Sequence, residues 1–203
     1  MMSSSLTNGY VSRYGTDSID GSGKYFGTLM RPNAQDNQER TWDRMLIEQR
    51  LAAMGMGLPE APRMPAGFPA SFAWTRNHDD RIFVSGHSAQ LEDGSMAGPF
   101  GRVPDEVPIE NALTAARGAA LSVLASLQRE LGDLDRVTAW LTVQGFVNTV
   151  PGYEQTTIVV NAFSDLILEL YGPERGHHAR TAIGASALPM NNTVVVAAEV
   201  AFA

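Results

Sequence analysis

The sequence predicts an α+β domain of two layers, a mixed sheet with two helices on one face. Three observations predict it. Two long stretches, 109–131 and 159–170, repeat their apolar residues at helical spacing. Segments around 72–75, 81–86, 137–144, 180–187 and 194–202 are short, alternating or apolar, as strands are. The order is strand–strand–helix–strand–helix–strand–strand, and strands separated by single long helices favour a mixed sheet with its helices on one side.

The totals fit such a domain. The chain has 203 residues, 44% hydrophobic and 18% charged, which reads as globular. A net charge of −7 argues against a general nucleic-acid binder. With no cysteine there are no disulfides and no thiol chemistry. No apolar run reaches the ~18 residues of a membrane span, and the first residues lack a secretory pattern. A cytoplasmic protein with no membrane or nucleic-acid partner is the expectation.

Residues 1–45 stand apart as an amino-terminal extension, rich in Ser, Gly, Asn, Asp and Gln, with isolated aromatics at Tyr10, Tyr14, Tyr25 and Phe26. They are read either as disordered or as an arm packing on this or a neighbouring subunit. Residues 46–203 form the domain. Residues 42–54 have helical spacing, and the Gly- and Pro-dense 55–69 reads as a connector. Phe72-Ala73-Trp74-Thr75 and Arg81-Ile82-Phe83-Val84-Ser85-Gly86 read as a hairpin turning at 77–80.

Pro108 suits a first helical position. Ile109, Leu113, Ala116, Ala120, Leu124, Leu127 and Leu131 then make one stripe, closed by Gly132. In the next strand Val137, Ala139, Leu141 and Val143 alternate with Thr138, Trp140, Thr142 and Gln144. Trp140 is therefore expected on the bare face of the sheet, beside Thr138 and Thr142. The second helix ends at Gly172-Pro173. The last two strands are expected to pair as a hairpin. A partly apolar open face is normally buried between subunits, so a homo-oligomer is predicted.

Arg180 opens a small-residue, otherwise uncharged strand that Leu188-Pro189 stops. A guanidinium is always charged and costly to bury alone, so it needs an anion, either a side chain or a bound molecule. The four histidines, including the pair His177-His178, have no acid at ligand spacing, so no metal or cofactor is expected.

Several segments together resemble the YjgF/RidA family, which has a chorismate-mutase-like fold. They are Ile82-Phe83-Val84-Ser85-Gly86, the long helix after Pro108, Asp135-Arg136-Val137-Thr138 and Val160-Asn161-Ala162-Phe163-Ser164-Asp165-Leu166. The most specific is His178-Ala179-Arg180-Thr181-Ala182-Ile183-Gly184 with Leu188-Pro189. The match covers roughly 50–203 and is most similar to a branch with a longer linker before the first strand. The resemblance implies a homotrimer with clefts between subunits. In those clefts the residue corresponding to Arg180 would clamp the carboxylate of a small metabolite. It implies hydrolysis of 2-imino or 2-enamino acids to 2-keto acids and ammonia.

Arg180, Glu199 and Ser85 are the candidates for the chemistry. Ser85, Gly86, Ala182, Phe72, Asn161 and His178 are the candidates for the substrate wall. Phe72 stands where well-studied members carry a tyrosine, and serves either as that wall or as core. Asn161 lies either near the cleft or in a helix-surface role. His178 is a candidate acid or base near neutral pH. By a gapless count from Leu188-Pro189, Val195 and Ala197 occupy the places of the family's last-strand glutamates. Only Glu199 remains. In a hairpin with Ala187 facing Val194, Glu199 would be a diagonal neighbour of Arg180, ~7–8 Å away. Glu199 then positions the water, neutralises Arg180, or is uninvolved. The alternatives to a deaminase are a relative acting on another carboxylate and a non-catalytic metabolite-binding trimer.

Overall fold

The computed structural model describes residues 42, 44–67 and 70–203. The expected extension 1–45 therefore falls almost wholly outside the described residues. Helix α1 spans Ile47–Ala53, strand β1 Thr75–His78 and strand β2 Arg81–His87. Helix α2 spans Ile109–Leu131, strand β3 Val137–Asn148 and helix α3 Thr156–Gly176. Strands β4, Ala179–Ala185, and β5, Val194–Phe202, complete the chain. The five strands form one mixed sheet in the order β1-β2-β5-β3-β4.

Helix α2 begins after Pro108 and closes on Gly132, whose φ of 79° is the left-handed cap that glycine adopts without strain. Its buried face is broader than one stripe, because it lies against both the sheet and α3. Ala112, Ala115, Ala119 and Val123 are buried along with the expected Ala116, Ala120 and Leu124. Helix α3 starts three residues before the apolar run and breaks at Gly172, φ 71° and ψ 174°, just ahead of Pro173. Helix α1 belongs to this domain. Its Ile47 amide donates to Asp135 Oδ2 at 2.8 Å, the Leu134 amide donates to Glu48 Oε1 at 2.9 Å, and its buried Arg50 donates to the Leu170 carbonyl.

Three expectations about the strands are corrected. The first hairpin lies further along the chain: His78 pairs with Arg81, and Asp79-Asp80 make the turn. Asp79 has φ 53°, a conformation that aspartate tolerates in tight hairpins. Phe72-Ala73-Trp74 is left outside the strand. Second, Trp140 is not on the bare face. Strand β3 shifts register against β5 between Val137 and Ala139 and again between Trp140 and Thr142, and each shift rephases the alternation. Trp140 turns inward, 2% exposed, edge-on to Phe163 and Tyr171 at 5.9 Å each.

Third, β4 and β5 do not pair. The β3–α3–β4 connection carries β4 back parallel to β3, as a helical crossover does, and β5 runs antiparallel between β2 and β3. Burial explains the choice. Val194, Val196 and Val200 of β5 are essentially inaccessible, whereas β4 has mostly accessible residues, as an edge strand does. A central place gives β5 partners on both sides.

The helices cover one face of the sheet. At one point of closest approach, a Cβ on Gly145 of β3 would stand 2.6 Å from Val160 Cγ2 of α3. The other face carries Phe83, Thr142, Phe146, Val195, Ala197, Thr181 and Ile183 alongside the Arg81–Glu199 ion pair. No helix among the described residues is long and apolar enough to cross a membrane.

Candidate functional site

The predicted residues fall into two groups on one chain. The first lies where β2 leaves the sheet. Between Val84, paired with Ala198, and His87, paired with Val196, β2 carries an extra residue, so Ser85 and Gly86 together oppose Ala197. Bulges of this kind re-aim side chains beside functional sites. The Ser85 amide donates to the Trp74 carbonyl at 3.0 Å and its Oγ donates to the Ala73 carbonyl at 2.7 Å. That leaves the oxygen's lone pairs free to accept from a ligand. Gly86 is required here, since a Cβ would stand 2.7 Å from Val195 Cγ1. Phe72 is half-exposed and meets Trp74 edge-on at 4.9 Å.

Beneath the bulge His87 is buried. Its Nδ1 donates to the Ser85 carbonyl at 2.6 Å, and its Nε2 accepts from Ser126 Oγ at 2.8 Å. A carbonyl can only accept, so this pair of contacts sets the neutral tautomer. Burial above all, together with the charge of Arg129, holds the His87 pKa down to about 4 against the pull of the Ser85 carbonyl. A cavity of about 170 Å³ opens beside it, walled by Phe72, Trp74, Met64, Met96, Met190 and Val195.

The second group lies at the β4 edge, against α3. Arg180 is paired in register with Val143 and through it with Ala198, both helix-facing, so its side chain points to the helical side. Its Nη1 donates to Ser164 Oγ at 3.0 Å. Ser164 Oγ lies 2.9 Å from His178 Nε2, and His178 Nδ1 donates to the Gly176 carbonyl at 2.7 Å. The directions are consistent: the hydroxyl donates to the imidazole and accepts from the guanidinium. Burial first, then Arg180 and His177, lower the His178 pKa, against the Gly176 contact. An open cavity of about 260 Å³ is bordered by these residues with Asn161, Asp165 and His177. Ala182 follows on the same side of β4, with its carbonyl accepting from Thr156 Oγ1 at 3.1 Å.

The two groups do not meet within one chain. Three strand spacings separate β2 from β4, roughly 14 Å, and the two groups use opposite faces of the sheet. The hairpin placing Glu199 beside Arg180 is overturned by the strand order. Glu199 lies on the open face, opposite Phe83 and Thr142, and pairs with Arg81 at 3.0 Å. Among the described residues no carboxylate lies within ion-pair distance of Arg180. Ser164 is the residue that sequence reasoning missed. Its signal was a hydroxyl in the helical run three residues after Asn161 and on the same face. The one carboxylate cluster that could hold a metal ion among the described residues is Glu48, Asp133 and Asp135. Each of the three accepts a backbone amide, which is a structural use.

No protein-family model matches the sequence. The chain is similar to Protein TCP17 of Trypanosoma cruzi, 35% identical over 151 residues, covering 74% of this chain and 90% of that protein. Among solved structures it is similar to Atu1372 of Agrobacterium tumefaciens, a protein of unknown function, at 30% identity and TM-score 0.68 over 81% of this chain and 97% of the other. A candidate endoribonuclease of Shewanella oneidensis MR-1 superposes with TM-score 0.70 at 24% identity over 78% of this chain and all of the other, which shows the shared fold. The segments that carried the resemblance lie on β2, α2, β3, α3 and β4 of this common sheet-and-helix frame, and the chain belongs to the YjgF/RidA family.

Proposed function

We propose that the protein is a small-molecule hydrolase that works as a homotrimer, and that Arg180 binds the carboxylate of its substrate at a seam between copies. The observation that carries this is the state of the Arg180 guanidinium. It is partly buried, held by one neutral hydroxyl, and bordered by an open cavity, with no carboxylate partner among the described residues. A cation in that state is a ready donor of two parallel hydrogen bonds to a carboxylate. Assembly supplies what one chain lacks. The open sheet face exposes Phe83 by 44% and Ile183 by 47%, which favours its burial against further copies. A neighbouring copy's β2 bulge would then meet the β4 edge.

In this reading Ser85 Oγ and the Gly86 backbone border the reactive carbon. Water adds to the C=N carbon of a 2-imino acid, the nitrogen is protonated, and ammonia leaves as the C=O bond forms. Fixed donors stabilise the charge that develops. Glu199 binds Arg81 through one oxygen and has a second with which to orient the water. His178 and Ser164 set the direction of the Arg180 guanidinium and border the substrate with Asn161 and Ala182. A cytoplasmic setting belongs to the same proposal.

A second reading rests on Val195 and Ala197. Both lie on the open face of β5, where the family resemblance places acids. A protein without them binds a carboxylate metabolite and performs different chemistry or none. Release of keto acid from freshly generated 2-iminobutyrate separates the two. Acceleration by the wild type, lost in Arg180→Ala, supports the hydrolase. No acceleration over buffer, with 2-oxobutyrate still binding through Arg180, supports the binder. Equal behaviour of wild type and Arg180→Ala in both assays removes the clamp.

A further inference from the structure

We propose that the methionine-walled cavity beside the β2 bulge is the seat for the substrate's side chain. The preferred substrate is then a 2-imino or 2-oxo acid whose side chain is one apolar ring or a branched aliphatic group of that size. This rests on the reading above and extends it to substrate class.

Position, lining and size each point the same way. The cavity begins at Gly86, beside the proposed place of the reactive carbon, so a side chain leaving that carbon enters it directly. Its wall is mostly apolar: Met64, Met96, Met190, Phe72, Trp74 and Val195. Most polar groups in the wall are committed to the protein, and Gln90 Oε1 is the buried side-chain acceptor left without a partner. His87 is held by Ser85 and Ser126, the Gln90 amide donates to the Gly94 carbonyl, and Asn192 Nδ2 donates to the Pro189 carbonyl. His87 is also neutral at physiological pH, so it adds no charge to the wall. Arg63, at the rim, is paired with Glu60 at 2.8 Å. A side chain with several polar groups would lose more water there than the single free acceptor, Gln90 Oε1, can replace.

Methionine side chains adapt their shape and make favourable sulfur–ring contacts, which suits a flat occupant. The volume of about 170 Å³ is close to the ~150 Å³ of an engineered apolar cavity that accommodates benzene, so one ring fits and two do not. Val195 takes on a purpose in this arrangement. It supplies apolar wall where an acid would have charged the cavity.

The test uses the full chain and three probes: pyruvate, its phenyl-substituted analogue 3-phenyl-2-oxopropanoate, and fluorobenzene followed by NMR of the methionine methyl groups. The phenyl acid is expected to bind at least about tenfold tighter than pyruvate. Fluorobenzene is expected to shift the methyl signals of Met64, Met96 and Met190 and to compete with the phenyl acid. Met96→Trp, which fills the cavity, is expected to abolish the fluorobenzene shift and the preference for phenyl. Should that variant fold poorly, Met64→Ala enlarges the cavity and is expected to admit a two-ring indolyl acid that the wild type rejects. Equal affinities for the two acids, with no fluorobenzene shift at the three methionines, overturn the proposal even where Arg180→Ala weakens both acids. A fluorobenzene shift and a phenyl preference that survive a silent Arg180→Ala uphold the cavity and remove the clamp instead.

Discussion

Lowering the pH should loosen this fold through His87, which lies under the bulge that carries Ser85 and Gly86. In the unfolded chain the imidazole takes up a proton near its ordinary pKa of 6.5, and in the folded protein only near about 4. Between those values the unfolded state binds more protons, so stability falls as the pH falls. The contribution is intact above 6.5, is lost progressively below it, and stops changing once both states are protonated. At pH 4.5 the loss relative to pH 7.5 is about 2–3 kcal/mol by proton linkage. That is a large share of the 5–15 kcal/mol typical of a domain.

The cause is geometric. Protonated Nε2 can no longer accept from Ser126 Oγ, and Arg129, which donates to the same hydroxyl at 2.8 Å, would face a second cation. The assay is urea unfolding of the wild type and His87→Gln between pH 4.5 and 7.5. Carboxylates elsewhere contribute equally to both proteins, so the difference between the two slopes isolates His87. The wild type should lose about 2–3 kcal/mol more than the variant over this range. Identical slopes would refute the argument that burial and Arg129 keep this ring neutral.

Three further outcomes are expected. Gly145→Ala should destabilise the fold by about 3 kcal/mol, the upper end for overpacking, because its Cβ would meet Val160 Cγ2 at 2.6 Å. Adding Val160→Ala should recover part of that loss in a double-mutant cycle read by urea unfolding. Ser164→Ala removes the hydroxyl that holds Arg180 Nη1, and 2-oxobutyrate affinity measured by calorimetry should fall about tenfold, as for loss of one charged hydrogen bond. Glu199→Gln breaks a pair whose Arg81 is more than half exposed, so melting should reveal a cost under about 1 kcal/mol. Imine turnover should nevertheless drop by at least about tenfold if Glu199 orients the water.

The elements were legible because each reflects local chemistry. Pro108 and Gly132 bound α2, Gly172-Pro173 breaks α3, and the apolar spacing between them records which face is buried. Arg180 was legible for a similar reason: a lone guanidinium on a small-residue strand stands out in any register. The strand order was not. The chain Ala187-Leu188-Pro189 reads as well as a hairpin turn as it does as a passage from one side of β3 to the other. Nor could alternation alone place Trp140, because one unpaired residue in β3 reverses every side chain after it. Ser164 was only partly legible, since its place three residues after Asn161 shows the face the two share but not that Arg180 and His178 meet it.

By itself the sequence determined the kinds and order of the elements and the family, because spacing and charge act along the chain. Only the tertiary structure decided which strands neighbour one another, that Glu199 and Arg180 lie on opposite faces, and that three methionines share a cavity with Phe72 and Trp74. Those facts depend on competition for the central place in the sheet. That contest is settled by total burial across distant segments, which no local pattern records.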